Sequence, residues 1–379
     1  MKFQIEKKEL STLTTLVHRA AAVKQTIPVL SGLLIELNET DGLTMTATDM
    51  EIGIKASTTQ VDIIETGSVL VNAHYFSDFI KLLPDTTISV ELNTETSRLN
   101  INYGRSSGFI NIYRDHEYPS LPINKMLDQF SIPQLVLKEA LKKTSFATAD
   151  NHFRPVFTGV LFDILADGEL RIIASDTHRL AYYSYSLSVD NLEPFNFIIP
   201  TRTVNELQRL LDDTEEPINI AFSENNVIFY QEQFILLSRL IEGQYPNYEQ
   251  VIPQKFNTSI KINPNTLVTT LERAKTMPTD DKIKIQNVQF LFKKDEAIVN
   301  TYSEFMGEIE EIIEYIDFEG DQDLKISFNT NYFLDIAKIY DDECDEIEIS
   351  LSGALGPALV KNLSKENYLY VLVPLRTNT

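Results

Sequence analysis

Apolar positions along this chain follow two periods, and blocks of the two kinds alternate. From Asn72, the stretch NAHYFSDFIKLLPD carries apolar residues at Phe76, Phe79 and Leu82. That spacing makes one stripe of an amphipathic helix. The same plan returns in PTRTVNELQRLLDD from Pro200, with Val204, Leu207 and Leu210, and in NTNYFLDIAKIYDD from Asn329, with Phe333, Ile336 and Ile339. An acid recurs at Asp78, Glu206 and Asp335, and a base at Lys81, Arg209 and Lys338. A helical wheel puts the bases away from the stripe.

Strand-like segments repeat in the same order. SGLLIEL from Ser31, TGVLFDI from Thr158 and NVQFLF from Asn287 each lead through a polar turn to LTMTATD, LRIIASD and AIVNTYS. The latter begin at 43, 170 and 297, so they stand 127 residues apart both times. ISVEL at 88, INIAF at 218 and IEISL at 347 alternate as half-buried strands. A first helix precedes each block, in LTTLVHRAA, LKEALKKTS and LVTTLERAK. The pattern predicts helices over 7–24, 74–83, 134–147, 201–212, 264–275 and 330–340. Each unit reads helix, strands, helix, strands, and is large enough to be a domain rather than a solenoid repeat. Pro-containing linkers fall at SLPINKML (120–127) and VIPQKFN (251–257).

Composition then narrows the class. Of the 379 residues, 43% are hydrophobic, enough for sizeable cores. No apolar run reaches membrane-spanning length, and MKFQIEKKEL lacks the apolar core of a signal peptide, so a cytoplasmic protein with no membrane role is expected. The one cysteine, Cys344, lies in DDECDE, where neighbouring carboxylates disfavour a thiolate. No pair among the five histidines has ligand spacing, which argues against a metal site; no cofactor is expected.

The net charge of −22 argues against nucleic acid unless the bases are segregated. They are. The six predicted helices hold 13 Lys and Arg against 7 Asp and Glu, while the remainder holds 20 against 48. Basic helices on one surface would touch phosphates without reading sequence, and the acidic exterior would repel DNA elsewhere.

The stretch IIASDTHRLAYYS raises a rival reading, because Ser175, Asp176 and His178 are the side chains of hydrolytic chemistry. A triad is defined by geometry rather than by sequence proximity. Alternating strand residues point to opposite faces, and no G-x-S-x-G elbow precedes Ser175. A third reading is a repeat-built interaction scaffold that never encircles DNA.

TIPVLSGLLIEL, ATDMEI, IASDTHRLA, EGQYPNY and YLYVLVPLR, in this order and spacing, resemble the bacterial DNA polymerase III beta subunits, the sliding clamps. The resemblance covers the whole chain. It implies an α+β fold of three clamp domains, 1–122, 128–252 and 256–379, each with two helices and antiparallel sheets. Two chains would close as a homodimeric six-domain ring around duplex DNA, with helices lining the hole. The protein would be a non-catalytic processivity factor, opened by a clamp loader. It would tether the replicative polymerase and other proteins bearing a motif with Leu and Phe.

By position, the resemblance assigns the peptide pocket to Phe157, Ser175, Thr177, His178, Arg179, Leu180, Pro246, Gln250 and Val251, with Val371, Val373, Pro374, Leu375 and Arg376. Only the second repeat carries His-Arg after the Asp, which favours one pocket per chain. Two positions depart from the family pattern. Thr177 stands where a smaller residue is usual, and Gln250 where a base is typical. Thr377 to Thr379 extend past Arg376. DNA contacts are assigned to Lys24, Lys81, Asn151, Arg209 and Lys338. Arg105 and Phe109 would face Met277, Glu308, Glu310 and Glu311 across the dimer.

Overall fold

A computed structural model describes residues 1–23, 27–114, 117–123, 126–188, 193–278 and 285–376. Six α-helices appear among them, two in each predicted repeat: α1 Lys7–Val17, α2 Ala73–Leu82, α3 Gln134–Thr144, α4 Thr201–Leu210, α5 Pro264–Lys275 and α6 Thr330–Asp341. Three have an asparagine N-cap. Asn72 accepts from the Tyr75 N–H, Asn263 from that of Asn265, and Asn329 from those of Asn331 and Tyr332. Each cap satisfies amide donors that the first turn leaves without partners.

The helices are shorter than the periodicity suggests. The 7–24 segment is α-helical only to Val17, and His18–Ala20 tighten into a 3₁₀ turn; Ser145–Ala147 do the same after α3. Such turns satisfy terminal carbonyls that have no α-helical donor. The apolar stripe also turns. Phe76 and Ile80 are buried in α2, whereas Leu82 is 87% exposed. Four-residue steps stay on the buried face, which the run of three-residue steps to Leu82 leaves. In α6 the buried stripe likewise includes Phe333, Ile336, Ala337 and Tyr340.

The chain forms two compact units. One contains Met1–Lys138 and Arg202–Leu240, the other Glu139–Thr201 and Ile241–Thr379. Within the first, an eight-stranded sheet runs across the join of the first two repeats. There Phe234–Arg239 pairs antiparallel with Ile52–Thr58, and Leu237 lies opposite Gly53. Within the second, a nine-stranded sheet runs across the join of the second and third repeats. Tyr368–Leu372 pairs antiparallel with Arg179–Ser186, and Val371 lies opposite Leu180. The two joins therefore use the same register in their respective units.

Each unit also contains a smaller sheet. Ser106–Asn111 ends a five-stranded sheet in the first unit, and Gly307–Glu314 ends a four-stranded sheet in the second. α1 packs on α2, and α5 on α6. The six helices hold 11 Lys and Arg against 7 Asp and Glu, leaving 22 against 48 elsewhere, so the segregation keeps its sign at the observed boundaries. No helix is long and apolar enough to cross a membrane among the described residues.

Candidate binding groove

The turn after strand Glu169–Ser175 is held by its own polar side chains. Asp176 Oδ1 accepts the backbone N–H groups of His178 at 2.9 Å and Arg179 at 3.0 Å. Ser175 Oγ donates to the Arg179 carbonyl at 2.7 Å and accepts from the Thr177 N–H at 3.2 Å. These bonds shape a turn and leave no nucleophile–base pair. Thr177 sits at the apex with φ of +77°. A β-branched residue is strained there, whereas a residue without a Cβ is not.

The turn is one wall of a groove of about 370 Å³. Leu180, Val371 and Val373 make an apolar side, Phe157 and Pro357 extend it, and Tyr245, Pro246, Asn247, Tyr248, Gln250 and Val251 form the opposite lip. Leu180 and Val371 are buried beneath the surface, while Val251 and Val373 are 51% and 41% exposed and open to a ligand. Burial raises the hydroxyl pKa of both Tyr245 and Tyr248 well above the ordinary tyrosine value, so both stay neutral at physiological pH. An apolar cleft with a few fixed polar groups suits a short segment with aliphatic and aromatic side chains.

Beneath the groove, Arg179 is nearly buried. Its Nε donates to Asp176 Oδ2 at 3.0 Å, its Nη1 to Asp335 Oδ2 at 2.7 Å and its Nη2 to the Phe146 carbonyl at 2.5 Å. The guanidinium lies 4.1 Å from the Tyr332 ring centroid. Arg179 is therefore a fixed strut, with each of its three side-chain nitrogens donating to a partner.

Three family models, described as the N-terminal, central and C-terminal domains of the DNA polymerase III beta subunit, match residues 1–122, 131–247 and 249–376. The chain belongs to the DNA polymerase III beta subunit family. It is 31% identical over 385 residues to the Beta sliding clamp of Bacillus subtilis, covering 100% of both chains. It is also 31% identical over 371 residues to that of Halalkalibacterium halodurans, covering 95% of this chain and 96% of the other. The crystal structure of the Bacillus subtilis clamp superposes with a TM-score of 0.91 at 30% identity, over 100% of this chain and 99% of that one. A Pseudomonas aeruginosa clamp bound to griselimycin gives 0.91 at 26% identity, with 100% of each chain covered. As a beta sliding clamp, the chain is a non-catalytic processivity factor.

Of the pocket residues assigned from sequence, His178, Pro374, Leu375 and Arg376 do not line the cavity. The Leu375 N–H turns away to the Ser327 carbonyl at 2.7 Å, and His178 is exposed on the turn. Tyr245, Asn247, Tyr248 and Pro357 line it without having been singled out. The first three lie inside the EGQYPNY stretch; Pro357 has no motif to mark it. Residues 377–379 lie outside the described residues.

The assigned DNA positions sit as follows. Lys24 lies outside the described residues, and Lys81 and Asn151 are exposed. Arg209 pairs with Glu206 at 2.6 Å, and Lys338 with Glu272 at 2.7 Å. For the dimer positions, Arg105 and Phe109 are exposed, and Arg98 covers the Phe109 ring at 3.9 Å from its centroid. Glu308 and Glu310 are exposed on the edge strand, with Glu308 accepting from Asn300. Met277 is 9% exposed, packed inside its own unit. Glu311 accepts both Nε and Nη2 of Arg273, at 2.5 and 2.6 Å. Burial, more than the adjoining acids, raises the Cys344 thiol above its ordinary pKa.

Proposed function

We propose that two copies of this chain close end to end as a ring around duplex DNA, each copy contributing domains 1–122, 128–252 and 256–379. The free edge strands Ser106–Asn111 and Gly307–Glu314 supply the two halves of the interface. Arg105 and Phe109 meet Glu308 and Glu310, and opposite charge sets the register. Lys24, Lys81, Asn151, Arg209 and Lys338 make loose contacts with phosphates and read no base. The ring works in the cytoplasm and is opened by a clamp loader.

The apolar groove at the join of the second and third repeats carries the reading of what the clamp holds. Its wall of Leu180, Val371 and Val373 faces a lip containing Pro246 and Val251, and the polar atoms of the turn are already satisfied. It takes the Leu and Phe side chains of a short motif on the replicative polymerase and on other replication and repair proteins.

Topology tests the whole reading. Loaded on nicked circular DNA, the clamp is retained through gel filtration in high salt and is lost when the circle is linearised. Equal retention on circular and linear DNA would instead indicate a scaffold that does not encircle its substrate.

A further inference from the structure

The first unit contains a second groove, of about 390 Å³, lined in part by Thr48, Met50, Leu121, Leu237 and Arg239. It is the counterpart of the partner groove, displaced by 127 residues on the turn and by 134 on the strand paired with it. Asp49 Oδ1 accepts the N–H groups of Glu51 and Ile52 as Asp176 accepts those of His178 and Arg179. Thr48 Oγ1 donates to the Ile52 carbonyl as Ser175 Oγ does to that of Arg179. Met50 holds φ of +78° against +77° at Thr177. The Arg239 N–H donates to the Glu51 carbonyl as the Val373 N–H does to that of His178, both at 2.9 Å.

With the backbone so alike, the side chains must decide what each groove takes. Three exchanges stand out. Gly53 replaces Leu180. The chain's own Leu121, at the position of Tyr248, lies over it: a Cβ on Gly53 would meet Leu121 Cδ2 at 2.4 Å. At the rim, Arg239 replaces Val373 and pairs with Glu51 at 3.7 Å.

We propose that Gly53, Leu121 and Arg239 determine that only one of two equivalent grooves accepts a partner segment. Leu121 covers the backbone where the partner groove offers Leu180. The Arg239 guanidinium sets a hydrated charge where Val373 would meet an apolar side chain. Desolvating that charge opposes entry of a Leu or Phe.

This rests on the reading of the first groove as the partner site. The test is a calorimetric titration of the full chain with a short synthetic peptide bearing Leu and Phe. The unmodified chain should bind one peptide, and a Gly53→Leu, Leu121→Tyr, Arg239→Val variant two, the second more weakly. Two peptides on the unmodified chain, or one on a folded triple variant, would overturn the proposal. No binding to the unmodified chain overturns the partner-site reading itself, and this inference with it. If the triple variant loses its cooperative unfolding transition, Leu121→Ala with Arg239→Val, which removes the cover and the charge and leaves Gly53 unchanged, should show a weak second event at millimolar peptide. Its absence there counts equally against the proposal.

Discussion

Arg179 and Asp335 stand 156 residues apart in sequence and 2.7 Å apart in space, tying the wall of the binding groove to helix α6. The link fixes the strand that presents Leu180, because Arg179 begins that strand. Arg179→Ala frees the Phe146 carbonyl and leaves Asp176 without its cation. A lost charge-assisted bond with a buried partner costs on the order of 2–3 kcal/mol. The expected result is a lower denaturant midpoint together with weaker peptide binding. Arg179→Lys should restore only part of both, since an ammonium cannot span three acceptors. Wild-type peptide affinity in Arg179→Ala would show that the strut does not shape the groove.

Lys143 offers a pH-dependent test. Its side chain is 1% exposed and lies 2.7 Å from Glu139 and 2.8 Å from Glu343. Burial by itself raises the Glu139 pKa, but the Lys143 hydrogen bond and charge outweigh it and bring the value below 4.5. A depressed carboxylate contributes fully above its unfolded pKa, and the contribution is lost as pH falls through the folded value. Stability should therefore drop below about pH 4.5, and Lys143→Ala should flatten that part of the profile. At pH 7 the same variant should lose on the order of 2 kcal/mol, less than a fully buried pair would, because Glu139 and Glu343 are partly exposed and Lys365 stays 3.8 Å from both. Denaturant midpoints measured from pH 6 to pH 3 in both proteins decide it.

Lys143 also marks the limit of what the sequence discloses. Its position in a helix follows from the periodicity, and so does its charge. Its burial depends on Glu343, which is remote in the chain, and on the Tyr368 ring 5.1 Å away. Asp335 is similar: its recurrence in the helix repeat discloses no partner, and it bonds Arg179 while Lys338 bonds Glu272 on α5. The repeats and the helix positions were legible because they depend on local period and a constant offset, whereas the groove positions followed from the family resemblance. Leu82, Met277 and Pro357 were not, because their exposure depends on what other elements cover.

Removal of Val373 to Thr379 should weaken the groove and spare the fold. The paired strand ends at Leu372, so its ladder remains; only the Val373 and Leu375 backbone bonds to His178 and Ser327 are lost, while Val373 leaves the apolar wall. Peptide affinity should fall at least about tenfold, or about 1.4 kcal/mol. Light scattering should still report a dimer. Unchanged affinity would mean that the motif seats elsewhere.

Phe109 is the dimer position to change, because Met277 is buried and its truncation would disturb the fold as well. The Phe109 ring is 50% exposed on an edge strand. Exposed aromatic residues that become buried on association tend to dominate interface energy. Phe109→Glu should shift the protein to monomer at micromolar concentration in sedimentation, with its unfolding midpoint nearly unchanged. A persistent dimer would move the interface away from this edge.

The last expectation concerns how a chain with net charge −22 holds DNA. Arg209 and Lys338 are each within 3 Å of a carboxylate, so their attraction for phosphate is partly spent. Binding to short open-ended duplexes should be weak and indifferent to base sequence, with retention arising from ring closure. Lys81→Glu, Arg209→Glu and Lys338→Glu together place new carboxylates in the same helices and remove every phosphate contact these positions make. Each lost contact should reduce the slope of log affinity against log salt by about 0.9. The combined variant should bind duplex more weakly and with a flatter salt dependence, while its peptide affinity and dimerisation stay as before. Fluorescence anisotropy across a salt series measures both quantities. An unchanged slope would falsify the assignment of these three positions to the DNA-facing surface, even if the ring itself is correct.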